Sequence, residues 1–368
     1  MDIVIHDLGD ELGPVQILLV RQPQVGLEAI VVVDNVACGP AIGGIRMAPD
    51  VTIEEVARLA RAMTLKNAAA GLPHGGGKAG IMANPDCGPA QKETLIRTFA
   101  RLIRELTAYI PGPDMGTNEV CMAWIKDEIH RAVGLPRVVG GIPLDEIGAT
   151  GFGLAVAAEV AAPEVGLALR GARLAVQGFG SVGQHAARFL AARGVTLVAA
   201  ADSRGAVSNP QGLDVEALIA HKQQGAAVQT FPASQPLDGD RFVGVDCDIW
   251  IPAARPDVLT AENVGQMQAK LVLQGANIPA TEAAERWMHT HGILSIPDFI
   301  ANAGGVICAA VEYHDGTQSQ AFAAIAEKIR ANTAEMLAQM KQQHLLPREA
   351  AVQIARRRVE EAMAYHRP

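Results

Sequence analysis

The sequence predicts a two-domain α/β chain, with a mixed α/β N-terminal domain followed by a doubly wound domain built on a parallel sheet. Three observations predict it. The chain has 368 residues, more than one ordinary core holds. Its residues are 49% apolar and only 19% charged, a balance that favours packed cores over disorder. From about Leu144, short apolar runs alternate with helical patterns, the texture of a parallel sheet covered on both faces.

In chain order, Gln16–Arg21 and Ala29–Asp34 read as two strands joined by a turn containing Pro and Gly. Thr52 starts a helix with Glu55 at the capping-box spacing, and Val56, Leu59, Ala60 and Met63 give it one apolar face. A second helix runs from about Lys92, with Leu95, Ile96, Phe99, Leu102, Ile103 and Leu106 at helical spacing. The Pro/Gly-rich stretch Ile110–Asn118 reads as a loop. The later apolar runs are Leu174–Gln177, Thr196–Ala201, Cys247–Pro252, Leu271–Gln274 and Ile293–Ile296. Phe322, Ile325, Ile329, Met336 and Met340 form a helical stripe, and Pro347 breaks it before a last helix over Val352–Tyr365.

Several classes are disfavoured. A formal net charge of −8 does not suit a phosphate backbone, so no nucleic-acid partner is expected. The acidic N-terminal stretch lacks the basic region of a secretory signal, and no apolar run approaches membrane-spanning length, so a cytoplasmic location is expected. The five cysteines are scattered without a C-x-x-C pair and read as free thiols. His289 and His291 have no third ligand nearby, so no metal is expected.

Two segments carry chemistry. Leu174–Gln177 runs into Gly178-Phe-Gly180-Ser-Val-Gly183, then a helix pattern, then a second strand that ends at Asp202. A pyrophosphate needs a tight turn, close backbone approach and a helix N-terminus aimed at its charge; an acidic residue about 20 positions on accepts hydrogen bonds from a ribose. A glycine motif set strand–turn–helix–strand–Asp is a strong dinucleotide signal, of the Rossmann type. Leu72-Pro-His-Gly-Gly-Gly-Lys78-Ala-Gly80 superficially resembles a nucleotide-triphosphate loop, but Leu72 and Ala79 occupy positions that need Gly and Ser or Thr. It reads better as a lysine on a close-packed loop, where desolvation disfavours its ammonium form. Lys66 lies near it in sequence, and Asp114, in Gly112-Pro-Asp-Met-Gly-Thr117, is a candidate proton carrier.

With these segments in place, the chain resembles the glutamate/leucine/phenylalanine/valine dehydrogenase family. The resemblance rests on Gly39–Arg46, Met63–Asn67, Leu72–Gly80, Pro113–Thr117, Gly148–Gly151, Val176–Gly183, Gly275–Asn277 and Asn302–Val306, in the family's order. It implies a catalytic and oligomerisation domain of residues 1–143 plus 330–368 and a Rossmann domain of residues 144–329, with the substrate in the cleft between them. It also implies a homo-oligomer. Lys66 would bind the substrate α-carboxylate with Asn277, near Gly43 and Gly44. Lys78 would polarise the keto oxygen and activate water, and Asp114 would shuttle a proton to and from the amino group. Cofactor contacts would come from Thr150, Gly178, Phe179, Gly180, Ser181, Val182, Gly183, Asp202, Ser203, Ala253, Ala254, Asn277 and Asn302. The implied reaction is NAD(P)-dependent oxidative deamination of an L-amino acid to the 2-oxo acid and ammonia, and its reverse. Asp202 favours NAD, with NADP possible through Ser203 or Arg204.

The resemblance also speaks to the side chain accepted. Glutamate-specific members have a lysine where this chain has Ile42, and tend to have a serine where it has Ala309. Burying an unpaired γ-carboxylate among Ile42, Val306 and Ala309 would cost several kcal/mol. The expected substrate is therefore leucine, valine or phenylalanine, with glutamate as the alternative because the cofactor-binding segments look more like glutamate members. A catalytically silent dinucleotide-binding sensor and a hydroxy-acid dehydrogenase are the other readings. The first is opposed by the presence of Lys78 and Asp114, the second by motifs built around lysines rather than a His–carboxylate pair.

Overall fold

A computed structural model of the chain describes residues 8–232 and 234–365. The first seven residues of the acidic N-terminal stretch lie outside it. The chain forms two compact units: Met1–Leu144 with Val306–Ala321 and Val352–Pro368, and Asp145–Gly305 with Phe322–Ala351.

The first unit is built on a five-stranded sheet. Its elements are β1 (Gln16–Gln22), β2 (Leu27–Asn35), β3 (Ala41–Met47), α1 (Ile53–Ala69), β4 (Gly76–Ile81), α2 (Pro89–Leu102), β5 (Tyr109–Pro113) and α3 (Glu119–Ile129). The strand order is β1-β2-β4-β3-β5, antiparallel from β1 to β4 and parallel among β4, β3 and β5. Both faces are covered, so β2 is apolar almost throughout. Val31 and Val33 join Ile45, Met47, Ala79 and Ile81 against Leu95, Ile96 and Phe99 of α2 and Met122 and Ile125 of α3. Ile30 and Val32 point the other way, against Val56, Ala57 and Ala60 of α1. Thr52 caps α1 by accepting from the Glu55 backbone N–H.

Two expectations are corrected here. The lysine segment is a strand, not a loop: Lys78 sits in β4 at the centre of the sheet. Its glycines let α1 press on the sheet, since a Cβ at Gly76 would lie 2.0 Å from the Thr64 backbone nitrogen. Tyr109–Pro113 is also a strand rather than loop; β5 lies at the sheet edge, where prolines cost no ladder bond.

The second unit contains α4 (Ala149–Ala161), β6 (Arg173–Gln177), α5 (Ser181–Ala191), β7 (Thr196–Asp202), β8 (Gly205–Ser208), α6 (Val215–Gln223), β9 (Gln235–Leu237), β10 (Ile249–Pro252), β11 (Leu271–Leu273), α7 (Glu282–Thr290), β12 (Leu294–Ile296) and α8 (Asp298–Ala301). Its seven-stranded sheet has the order β12-β11-β10-β6-β7-β8-β9. The first five strands are parallel, and β8 and β9 add an antiparallel edge. The remaining helices are α9 (Gly304–Tyr313), α10 (Gln318–Gln343) and α11 (Pro347–Met363).

The C-terminal segments are divided differently from the expected return at residue 330. Residues 306–321 pack with the first unit, where the Glu312 carboxylate accepts from the backbone N–H groups of Leu135 (3.1 Å) and Ile142 (2.6 Å). Residues 322–351 stay with the second unit. There Phe322 meets the Phe152 ring edge-on at 4.9 Å, and Arg330 pairs with Glu159 at 2.9 Å.

Candidate active site

Strand parity assembles the reactive groups of the first unit. On β3, alternate residues share a face, so Ile42, Gly44 and Arg46 point the same way. A Cβ built on Gly44 would lie 2.7 Å from the Asp114 Cβ and 3.3 Å from the Lys78 Nζ, so only glycine leaves room for that pair. Lys78 shares its face of β4 with Gly76 and Gly80, the face that α1 covers. The Lys78 ammonium is 3.0 Å from Asp114 Oδ2, and Lys78 is only 5% exposed. Arg46 donates from Nε to the same oxygen at 3.0 Å and pairs through its other arm with Glu55.

The electrostatics follow from this geometry. Burial pushes the Lys78 pKa below the ordinary lysine value, and Asp114 recovers only part of the drop. For Asp114, burial raises the carboxyl, but Lys78 and Arg46 outweigh it and hold it below the usual range. A buried, poised amine beside an ionised, partly exposed carboxylate can stabilise charge on an oxygen and pass protons.

Around this pair, Lys66 occupies the last turn of α1 and is half-buried. Next to it, Asn67 donates to the Gly75 carbonyl at 2.7 Å and more weakly to that of Ile42 at 3.4 Å, which ties the end of α1 to both strands. Ile42 is 3% exposed. Val306 and Ala309 lie one turn apart on α9 and so share a face. The end of α9 reaches the segment that leads into β4, where Tyr313 packs edge-on against His74 at 5.6 Å between ring centres.

In the second unit, Gly178 takes the left-handed conformation (φ 97°), and a Cβ there would lie 2.6 Å from Ala253 O and Ala254 N. The turn is thus pressed against Ala253 and Ala254, two of the expected cofactor contacts. Gly180, the N-cap of α5, faces open space within 4 Å of where a Cβ would stand, and Phe179 is buried beneath the turn. Ser181, Val182 and Gly183 form the first turn of α5. This cradle fits a pyrophosphate: backbone approaches freely, and a helix N-terminus faces it. Asn302 donates to Asn277 Oδ1 at 3.1 Å, and its own Oδ1 is buried with no partner, an acceptor that suits a ligand amide. Thr150 lies beside Gly304, two residues past Asn302, since a Cβ on Gly304 would lie 3.2 Å from the Thr150 Cα.

Asp202 ends β7 as expected, but its carboxylate is already engaged. Oδ2 accepts from the Lys222 ammonium and the Val228 N–H (3.1 Å), and Oδ1 accepts from the Arg204 N–H (2.8 Å). A ribose hydroxyl would have to share these contacts. Ser203 is exposed beside it, whereas the Arg204 guanidinium is turned onto the carbonyls of Gly225 and Ala226. Sequence reasoning missed Lys222 and the site roles of Glu55 and Asn67: Glu55 reads only as a helix cap, and the contacts of all three are made through space. Among the described residues no cluster of His, Cys, Asp or Glu could hold a metal, and no helix is long and apolar enough to cross a membrane.

A dinucleotide cradle in one unit and a buried lysine paired with an aspartate in the other define a dehydrogenase. Comparison with known proteins narrows the class. Residues 14–131 match the family model for the Glu/Leu/Phe/Val dehydrogenase dimerisation domain, and residues 140–367 match that for Glutamate/Leucine/Phenylalanine/Valine dehydrogenase. The chain is 37% identical to a glutamate dehydrogenase of Aeropyrum pernix over 89% of its length and 84% of the relative's. It is 40% identical to one of Thermotoga maritima over 77% and 72%. Among solved structures, the hetero-hexameric glutamate dehydrogenase of Thermus thermophilus in its Leu-bound form superposes with a TM-score of 0.85 at 30% identity, over 96% of this chain and 91% of that one. The L-tryptophan dehydrogenase of Nostoc punctiforme superposes with a TM-score of 0.75 at 26% identity, over 98% of each. The chain belongs to the Glu/Leu/Phe/Val dehydrogenase family and is a dinucleotide-dependent amino acid dehydrogenase, an oxidoreductase acting on CH–NH2 groups. The expected preference for an apolar side chain gains no support from these sequence relatives, both of which are named for glutamate.

Proposed function

We propose that this enzyme catalyses the reversible oxidative deamination of L-glutamate to the 2-oxo acid and ammonia, with NAD as the preferred cofactor. The observation that carries the reaction is the buried Lys78 amine 3.0 Å from Asp114. Lys66 holds the substrate α-carboxylate. Asp114 accepts a proton from the amino group, and Lys78 steadies the negative charge that develops on oxygen as water adds and ammonia leaves. The bound dinucleotide supplies the acceptor for the α-hydrogen as hydride. Gly178 to Gly183 would hold its pyrophosphate, and Thr150, Asn277 and Asn302 would contact its nicotinamide end. The NAD preference rests on Asp202, whose charge opposes a 2′-phosphate; Lys222 offsets that charge and keeps the preference modest.

Glutamate is favoured by the names of the sequence relatives. It requires a cation other than Arg46 for the γ-carboxylate, because Asp114 and Glu55 hold that guanidinium. A second reading, an apolar amino acid, is favoured by Ile42, which shares its sheet face with Gly44 beside Lys78. Specificity constants for glutamate, leucine, valine, phenylalanine and tryptophan at fixed NAD decide between them. The glutamate reading expects glutamate to lead. A lead of about a hundredfold or more for an apolar substrate would overturn it, since about 3 kcal/mol of differential transition-state binding then favours the apolar pocket. The match to a dimerisation domain and the hexameric relative support a homo-oligomer in this chain. Five unpaired cysteines suit a reducing cytoplasm.

A further inference from the structure

We propose that Arg348, at the start of α11, is a positioning residue for the Asn277 and Asn302 amides, acting through a buried ion network and a strained turn. This rests on the assignment of those two amides to ligand binding.

The network lies wholly within the second unit. Arg348 donates from Nε to both oxygens of Glu285 on α7, at 2.9 and 2.8 Å, and from Nη2 to Gln274 Oε1 at 2.8 Å. The same nitrogen lies 2.9 Å from Asp298 Oδ1, an ion pair without hydrogen-bond geometry, so that the guanidinium holds this oxygen by charge alone. Gln274 donates in turn to Glu285 (2.7 Å) and to Ser295 (3.1 Å). Glu285, Asp298, Gln274 and Ser295 are all buried. Two buried carboxylates therefore face one guanidinium, and only its planar fork reaches both together with the amide.

The second oxygen of Asp298 leads to the ligand side. Asp298 Oδ2 accepts from the Ile278 backbone N–H at 3.0 Å, and the Asp298 carbonyl accepts from the Asn302 N–H at 2.7 Å. Ile278 adjoins Asn277 and sits at φ 47°, in the left-handed region that a β-branched residue strongly disfavours. Its side chain is 54% exposed, so apolar packing does not hold it there. The turn is pinned by its two backbone bonds, to Asp298 and from the Asp257 N–H to the Ile278 carbonyl (3.0 Å). Such strain persists where the surroundings over-determine it, and it clusters at functional sites. Without Arg348, the two carboxylates lose their shared counter-charge, Asp298 is free to turn away, and Ile278 relaxes. Asn277 then shifts, and with it the Asn302–Asn277 amide contact.

The test uses the full-length enzyme with Arg348→Met and with Arg348→Lys, which keeps the charge but not the fork. Hydrogen exchange is read at the Ile278 amide, and KM, kcat and NAD affinity are read with the amino acid turned over fastest. The expected result is faster exchange at Ile278 and a KM raised about tenfold in Arg348→Met, with a smaller change in kcat. Arg348→Lys should shift both readouts in the same direction by less. Adding Ile278→Gly to Arg348→Met removes the strain and should restore KM, because glycine adopts the left-handed region without the anchor. Unchanged exchange in both variants overturns the proposal, as does a KM that Ile278→Gly leaves unrestored. If Arg348→Met does not fold, an unchanged KM and exchange in Arg348→Lys overturn it. Asn277→Ala separates the premise: if its KM is also unchanged, the assignment of Asn277 to ligand binding has failed, rather than the link from Arg348 to the turn.

Discussion

Replacing Lys78 with methionine isolates the charge of the central amine. Methionine keeps most of the side chain's length and volume, so the cavity cost is small. The structure sets both sides of the comparison. Lys78 is 5% exposed and 3.0 Å from Asp114, so it acts where water cannot substitute for it. Loss of such a preorganised donor costs about 3–4 kcal/mol at the transition state, or two to three orders of magnitude in kcat. Stability should change far less. Asp114 keeps Arg46 at 3.0 Å and is not left as an unpaired buried charge. Removing an ammonium that burial already disfavours also offsets part of the lost ion pair. Cofactor reduction followed with saturating amino acid gives kcat, a thermal melt gives stability, and dinucleotide titration checks the second unit. Turnover within about tenfold of the parent, in a folded protein that binds the dinucleotide, would refute the role given to Lys78.

Arg46→Gln should move both titrations of the site upward, because Arg46 depresses the Asp114 carboxyl and the Lys78 amine alike. Both limbs of the kcat/KM–pH profile are expected at higher pH, and limbs that stay in place contradict the coupling. Asp114 stabilises the fold above its unfolded value of 3.8 and loses that contribution as pH falls through its depressed folded value. The acid unfolding transition of Arg46→Gln should therefore begin at higher pH than the parent's. Lys222→Ala removes the counter-ion of Asp202 and should lower the NADP-to-NAD ratio of specificity constants by about tenfold; an unchanged ratio would show that Lys222 does not weigh on cofactor choice.

Much of this molecule is legible in its residues. The capped helix after Thr52, the phosphate turn at Gly178 and the five parallel strands follow from periodicity and from residue types that only one backbone geometry tolerates. Gly76–Ile81 was harder to read, because glycines that admit a helix against a strand look like glycines that make a loop. Tyr109–Pro113 misled for a related reason: prolines mark loops except at a sheet edge. The hairpin of β8 and β9 is too short and polar to stand out. In the site, Lys78 and Asp114 were legible as residue types within recognisable segments. Their partners Arg46 and Glu55 are joined through space, and Lys222 reaches Asp202 from another helix. No spacing rule encodes such pairs, because the fold brings together residues that sequence order keeps apart.

Lys78 and Arg46 both grip the same oxygen of Asp114, Oδ2. A carboxylate held at one oxygen by two cations cannot spin freely, and its two oxygens are no longer equally basic. If Asp114 carries the proton as proposed, Oδ1 is the oxygen that receives it, from one fixed direction. The substrate nitrogen would then have to lie on the Oδ1 side of Asp114, which fixes one point of its orientation. One uncrowded oxygen of a single side chain would thus set the line along which the proton travels.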